Sequence, residues 1–421
     1  MYFSITSARK EWMTVLLYEL KKVLGKTVNK VALLLLLAAL AIVTTLAIGG
    51  VSYTEPDGSS ISGMAAARQL EKVKKQWEGY VTEDVLRAVI EANDAVNQSP
   101  EYQSDDVTEN NMAYSRKQGF SDIREMLNQA FSDFQTYDYF RADSLSPEDA
   151  GAFYGKRAAS LREWLDSEEM KDQFTENEKQ YLIRHYEEME TPVYYTYADG
   201  WKTLLTYTDT MIMLIVLITG FLVSGIFPGE FALKADSVYF SSRFGRNWGV
   251  RAKIGAGLLL ITVIYWGTML LYTGIVLFAL GADGGSCVIQ TGLGGWKSFY
   301  NITFFQKYLL SMLGGYAGSL FILSLAMLIS AKTRSAVLAV TVPFIVLFIP
   351  SFLSGVNALT KVLGLLPDQL LQISSVINQF NLYELGGQVV GSVPILMVLY
   401  SCLCVIMIPW TYRIFHRISE R

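Results

Sequence analysis

Six stretches of this chain are apolar without a single acid, lysine, arginine or histidine: Val31–Val51, Thr210–Phe227, Ile254–Leu280, Tyr308–Ser330, Ala336–Leu353 and Val389–Tyr412. A helix needs ~20 residues, give or take a few, to cross a hydrocarbon core of ~30 Å, so the pattern predicts six transmembrane helices. A hydrophilic insert, residues 52–207, separates the first from the second. A machine that moves protons or ions through such a bundle needs acids, bases or salt pairs inside it. None falls within the six stretches, so whatever drives this protein is expected to act from outside the membrane.

The insert has helical periodicity over Met64–Trp77, Glu83–Val96 and Ser121–Phe134, and in the last of these Ile123, Met126, Leu127, Ala130 and Phe134 share one face. Ser146-Pro147-Glu148-Asp149 supplies an N-cap, a proline at the first helical position and acids in the first turn, and Thr175-Glu176-Asn177-Glu178 is a capping box. Strand-like alternation is confined to Val193–Tyr197. The expectation is an all-α integral membrane protein whose insert is one small domain of four to six short helices. Phe131, Phe134, Tyr137, Tyr139, Phe140, Phe153, Tyr154 and Trp164 are expected to form its core in preference to a ligand box.

The flanks add detail. In residues 1–30, Trp12, Leu16, Leu20 and Leu24 recur at i+4 beside Val15, Tyr18 and Val23, with Glu11, Glu19, Lys21, Lys22 and Lys26 at polar positions. This reads as an amphipathic interfacial helix with its lysines toward anionic lipid, or as a plain extension of the first span. Between the last two spans, Leu359, Leu363, Leu366, Leu370, Ile373 and Ile377 continue one apolar face that Pro367 breaks. The result expected within residues 357–388 is two half-helices lying on, or dipping into, the outer leaflet. Pro343, Pro350, Pro394 and Pro409 mark kinks or ends in the neighbouring spans. The aromatic run Tyr194–Trp201 reads as a headgroup belt, and Asp209 as a solvated edge residue.

Charge fixes sidedness. Ser52–Tyr207 carries 30 Asp+Glu against 16 Lys+Arg, a net of −14; the remainder carries 9 against 19, a net of +10. The N-terminal arm, the connection between spans two and three, the turn between four and five, and the tail 416–421 with Arg413 together hold 16 basic residues. The short segments on the opposite side hold only Lys297, Lys307 and Lys361. The positive-inside bias then puts both termini in the cytoplasm and the insert outside, in a multi-pass protein of a bacterial cytoplasmic membrane. The first apolar core, 31–51, is longer than the ~7–15 residues of a signal peptide, so it is expected to stay as an anchor. The insert contains none of the chain's 3 cysteines and must hold together without disulfides. No arginine cluster with interleaved aromatics suggests a nucleic-acid track.

Catalytic chemistry is sparse. Gly25-Lys26-Thr27 matches the tail of a phosphate-binding loop, but Leu20 stands where that loop needs glycine, and the segment is helical where a strand is required. His185 and His416 lie far apart and offer no metal site or nucleophile–base pair. The chain is not expected to be an enzyme by itself, nor to bind a cofactor.

The better candidate is the segment after Pro228-Gly229, residues 229–246. Phe231, Val238, Tyr239 and Phe244 alternate with Glu230, Lys234, Asp236 and Arg243, Gly245 is placed to end a helix, and Arg246 follows. A short helix of this kind suits a groove on a cytoplasmic partner; a basic interfacial loop is the simpler alternative. The run Gly229-Glu230-Phe231…Asp236-Ser237-Val238…Ser241-Ser242…Gly245-Arg246…Lys253 resembles the coupling segment of type-2 ATP-binding-cassette (ABC) exporter permeases, with Ala235 where many members have glycine. Tyr197-Ala198-Asp199-Gly200-Trp201-Lys202 is similar to the re-entry motif of a Firmicutes-type branch with a large insert after the first span. Leu366-Pro367-Asp368-Gln369-Leu370 resembles that fold's outer half-helices. The resemblance implies a helical extracellular domain between membrane helices 1 and 2, with the remaining spans in 208–415. It also implies a second permease copy or related subunit, and two ABC ATPase subunits that carry ATP and magnesium. Glu230, Phe231, Lys234, Asp236, Val238, Tyr239, Arg243, Gly245 and Arg246 would couple to those subunits. Export of an amphiphilic peptide, lipid or drug is then expected. The alternative is a sensing or resistance module whose acidic insert captures a cationic antimicrobial peptide, although that acidity also fits a merely solvated surface.

Overall fold

A computed structural model describes residues 2–232, 234, 245–353 and 359–418. Six of its helices are long and apolar enough to cross a membrane: Thr27–Gly49, Asp199–Phe231, Asn247–Leu280, Phe304–Thr333, Ala336–Leu353 and Ser392–His416. They coincide with the six uninterrupted apolar stretches, and the protein is mostly helical, compatible with a multi-pass membrane protein. In chain order, α1 (Tyr2–Leu24) precedes the first span α2 (Thr27–Gly49). The insert contributes α3 (Met64–Lys74), α4 (Glu83–Asn97), α5 (Val107–Lys117), α6 (Ser121–Phe131), α7 (Phe153–Leu165) and α8 (Glu176–Glu187). The second span is α9 (Asp199–Ser224), followed after a turn by α10 (Pro228–Ala232). Then come α11 (Val250–Leu280), α12 (Phe304–Thr333) and α13 (Ala336–Leu353). Three short turns, α14 (Thr360–Leu363), α15 (Pro367–Leu370) and α16 (Ile373–Val376), lead to the last span α17 (Ser392–Ile418).

Local signals explain the insert's helices. Asp106 Oδ1 caps α5 by accepting from the N–H groups of Thr108 and Glu109, and the Thr175–Glu178 box opens α8 as its spacing predicts. Leu86, Val89 and Ile90 from α4 meet Ile123, Met126 and Leu127 from α6 and Phe153 from α7 in a core from which water is excluded. Two-stranded antiparallel ribbons tie the ends together: β1 (Ser52–Thr54) with β2 (Ser60–Ser62), and β3 (Gly79–Tyr80) with β4 (Tyr194–Tyr195).

The insert is not the self-contained domain expected from residues 52–207. Trp296, from the loop between α11 and α12, lies in its core. The buried Arg157 guanidinium donates to Trp296 O at 3.0 Å, Ser298 O at 2.7 Å and Tyr186 O at 2.9 Å. Phe299 and Leu382 complete a second apolar cluster with Leu161, Leu165 and Leu182. With no disulfide to staple it, the insert borrows apolar and carbonyl partners from two loops of the helix bundle. The aromatic core is also smaller than expected. Phe153 is buried and Phe131, Phe134, Tyr154 and Trp164 pack at its edges, but Tyr139 and Phe140 stand in solvent.

The segment after α13 differs from two half-helices on a leaflet. It forms three single turns packed on the bundle, then a hairpin of β5 (Leu382–Leu385) and β6 (Gln388–Gly391); residues 357 and 358 lie outside the described residues. Pro367 does not break a helix but opens α15 at its first position, where its fixed φ and missing N–H cost nothing. The hairpin turns through Gly386 (φ 59°) and Gly387 (φ 83°), a left-handed pair that side chains disfavour. Close approach is made possible by α12. A Cβ on Gly314 would lie 2.1 Å from Ile373 Cδ1, and one on Gly318 would lie 2.4 Å from Leu371 Cδ2. Bare backbone at these positions lets the turns sink against the span. Tyrosine hydroxyls stitch the bundle: Tyr265 donates to Met312 O at 2.7 Å and Tyr272 to Leu204 O at 2.8 Å. Pro343, Pro350 and Pro409 lie inside helices and end none of them.

Candidate functional site

Two buried charge clusters mark the ends of the second span. At the end remote from the insert, Lys253 is fully buried. Its Nζ donates to Glu230 Oε1 at 2.7 Å, to Glu19 Oε2 at 3.1 Å and to the Ile226 carbonyl at 3.1 Å. The Lys22 ammonium also pairs with Glu230 Oε1. One knot thus joins α1, the close of the second span and the opening of the third. It forms because α1 lies along α11, with Leu16 Cδ1 3.3 Å from where a Cβ on Gly255 would be. Along α1, Leu16, Glu19 and Val23 are buried while Leu17, Tyr18 and Leu24 face out. The predicted apolar stripe is therefore rotated toward Val23, and Lys22 and Glu19 point into protein instead of toward lipid. Burying this many charges is tolerable only because each carboxylate meets an ammonium.

At the insert end, Asp199 opens α9. Lys74 Nζ donates to both Asp199 oxygens at 2.8 Å and approaches Asp122 Oδ2 to 3.1 Å. Asp122 Oδ2 also takes Lys202 Nζ at 2.8 Å and the Tyr195 hydroxyl at 2.9 Å. Burial alone would raise the Asp122 carboxyl, but the Lys202 and Lys74 cations outweigh it and hold it well below the usual carboxylate range. Burial would likewise lower the Lys74 amine, and Asp122 and Asp199 reverse that and raise it. The surrounding aromatic run is no headgroup belt, because Tyr195 and Tyr197 are fully buried. Tyr197 OH donates to Leu280 O at 2.7 Å and Trp201 Nε1 to Ala282 O at 2.8 Å. A Cβ on Gly200 would lie 2.0 Å from Gly281 O, so only glycine admits this crossing. Residues 195–202 therefore clamp the insert, the second span and the loop after the third.

Asp209 is not a solvated edge residue. Its Oδ2 accepts from Ser375 N at 3.1 Å and Ser375 Oγ at 2.7 Å, holding α16 to the second span, and its Oδ1 is enclosed with no hydrogen-bond partner among the described residues.

The predicted coupling residues divide into four groups. Glu230 lies in the knot, and Phe231 beside it has the Arg334 guanidinium 4.6 Å from its ring centroid and the Phe415 ring at 6.1 Å. Lys234 is an exposed turn residue with φ 54°. Asp236, Val238, Tyr239 and Arg243 lie outside the described residues. Gly245 and Arg246 begin a wide helical turn, Gly245–Gly249, that runs into α11. Gly245 thus leads into the third span's helix, and the coupling helix it is expected to end falls on 235–244, outside the described residues. Residues 19, 22, 74 and 122 were missed as site residues, since no spacing rule joins positions so far apart. The one available signal was the acid at 230 facing a lysine at 253 across a connection. Among the described residues no cluster of His, Cys, Asp and Glu has metal-binding geometry. No protein-family model, no curated protein and no solved structure matches the chain.

Proposed function

We propose that this chain is the transmembrane permease subunit of an ATP-binding-cassette exporter, moving an amphiphilic peptide, lipid or drug. It would pair with a second permease subunit and two separate ATPase subunits, with its insert outside and both termini in the cytoplasm. The carrying observation is the Lys253 knot, which gathers α1, the end of the second span and the start of the third where the connection 232–245 departs. Force applied to that connection by a cytoplasmic partner would reach three helices as one body. The six uninterrupted apolar stretches support the same reading, because span centres without ionisable groups suit amphiphiles better than ions.

The test is co-expression with an ATPase subunit of the ABC class that co-purifies with the chain, followed by reconstitution in vesicles. ATP-dependent movement of an amphiphile is expected with the partner and none without it. Arg246→Glu at the root of the connection should abolish ATPase assembly or stimulation. Solute flux driven by an ion gradient, with every nucleotide hydrolase absent, would overturn the proposal. So would full coupling in Arg246→Glu.

A further inference from the structure

The turns after α13 carry an acid to a place where the spans have none. α15 packs against α12, α13 and α17 at once. Its seat is close-fitting: Leu370 and Leu371 are fully buried, and a Cβ on Gly314 would lie 3.1 Å from the Leu370 carbonyl oxygen. Asp368 goes down with them and is 4% exposed. The Gln369 amide donates to its Oδ2 at 2.6 Å, while Oδ1 is enclosed with no hydrogen-bond partner among the described residues.

Among the described residues, none of the elements around it supplies a cation. α13, α16 and residues 354–358 contain no lysine, arginine or histidine. On α12, Lys307 donates to Asn378 Oδ1 at 3.3 Å, and Lys332 lies at the opposite end of the helix. On α14, Lys361 pairs with Glu178 Oε1 at 2.8 Å. From α17 the facing groups are Tyr400, whose hydroxyl donates to the Leu365 carbonyl at 2.8 Å, and Cys404, directed to Ala317 O. Asp209 on α9 is turned to Ser375. Burial pushes the Asp368 carboxyl above its ordinary value, and the Gln369 amide is too weak to reverse it. A buried acid without a counter-ion avoids the cost of an unmatched charge by keeping its proton.

We propose that Asp368 is a proton-binding site that latches the outer turns: the neutral acid seats α15 among three spans, and its ionisation releases the turn. Release breaks the O–H bond. The proton passes to water, and the carboxylate, keeping the electron pair, is hydrated once α15 lifts out. Alkaline solution at the insert end therefore favours the lifted turn, and acid the seated one. The latch stands on its own geometry and does not depend on the transport reading.

The experiment compares the full wild-type chain with Asp368→Asn, unfolded in mixed dodecylmaltoside and sodium dodecyl sulfate micelles across about pH 4–8. An unfolded aspartate ionises near ~3.9, so a seated acid that keeps its proton above that value holds more protons than the unfolded chain. Its contribution is present at low pH and lost as pH rises. The wild-type folding constant should therefore fall relative to that of the asparagine variant by about tenfold or more across this range. Asp122→Asn, which removes an ammonium-paired carboxylate, is the control of opposite sign. At neutral pH the infrared C=O stretch of a protonated carboxyl should appear in wild type and vanish in Asp368→Asn. Amide hydrogen exchange over residues 366–372, compared between the two proteins at each pH, should quicken in wild type as pH rises. Three results would overturn the proposal. Asp368→Asn could be the less stable protein at neutral pH, by a margin that shrinks in acid, which would make Asp368 an ionised carboxylate paired with a cation from a second copy. The stability gap could stay constant with pH and the carboxyl band be missing. Exchange over 366–372 could keep the same ratio between the two proteins at every pH, leaving a proton site that latches nothing.

Discussion

Replacing Lys253 with methionine keeps most of the side-chain volume and removes the charge at the centre of the far-end knot. The gross attraction it carries is large. At 2.7 Å from Glu230, an effective dielectric of ~20 gives about 6 kcal/mol, and at 3.1 Å from Glu19 about 5 kcal/mol. Most of this offsets the desolvation of three charges, so the intact knot contributes far less than the sum. Removing the cation alone is another matter. Glu230 keeps Lys22, but Glu19, only 3% exposed, loses the cation it pairs with. Breaking a buried pair from one side costs about 3–5 kcal/mol. Glu19→Gln in the Lys253→Met background removes the stranded charge and should recover roughly half of that. The assay is equilibrium unfolding in mixed dodecylmaltoside and sodium dodecyl sulfate micelles, for wild type, both single variants and the double. A coupling energy above about 1.5 kcal/mol is expected. Additivity within ~0.5 kcal/mol would mean that the two side chains do not share a buried site, and the reasoning would fail.

Two further changes probe other parts of the structure. Gly314→Ala puts a methyl 2.1 Å from Ile373 Cδ1 and should destabilise by about 1–3 kcal/mol in the same unfolding assay, with partial rescue by Ile373→Ala. Asp122 has a depressed carboxyl, so its contribution is fully present above the unfolded value of ~3.9 and is lost as pH falls through its lower folded value. Asp122→Asn should therefore lower stability at pH 7, and its difference from wild type should shrink as the pH falls below ~4. A difference that is constant across that range would show the carboxylate to be uncoupled from Lys74 and Lys202.

The spans were legible because no ionisable side chain interrupts their apolar stretches, and hydrocarbon thickness sets their length. Capping residues gave α8 and the start of the turn at Ser146, since those bonds are local. The β5–β6 hairpin was legible but missed: two glycines between alternating segments signal it, and the i+3/i+4 spacing across Pro367 drew attention to helices instead. Tyr195 and Tyr197 show a deeper ambiguity. An amphipathic ring suits a headgroup layer, but it suits equally a buried niche with one acceptor for its hydroxyl, and composition does not separate the two. The charge clusters were illegible for a different reason. Lys253 reaches Glu230 across 23 positions and Glu19 across 234, and periodicity reports only neighbours on one element.

The second span is fastened at both extremities, by Asp199 and Lys202 at one and Glu230 at the other. Sliding along its axis by one helical pitch, ~5.4 Å, would rupture both sets of ion pairs at once, so axial travel is closed to it. What stays open is tilting and rolling. Over the 26 residues of α9, about 39 Å of helix, a 10° tilt about one extremity swings the other by roughly 7 Å. Bodies attached at opposite faces of a bilayer would thus share one degree of freedom, and a disturbance to either would be felt as displacement of the other.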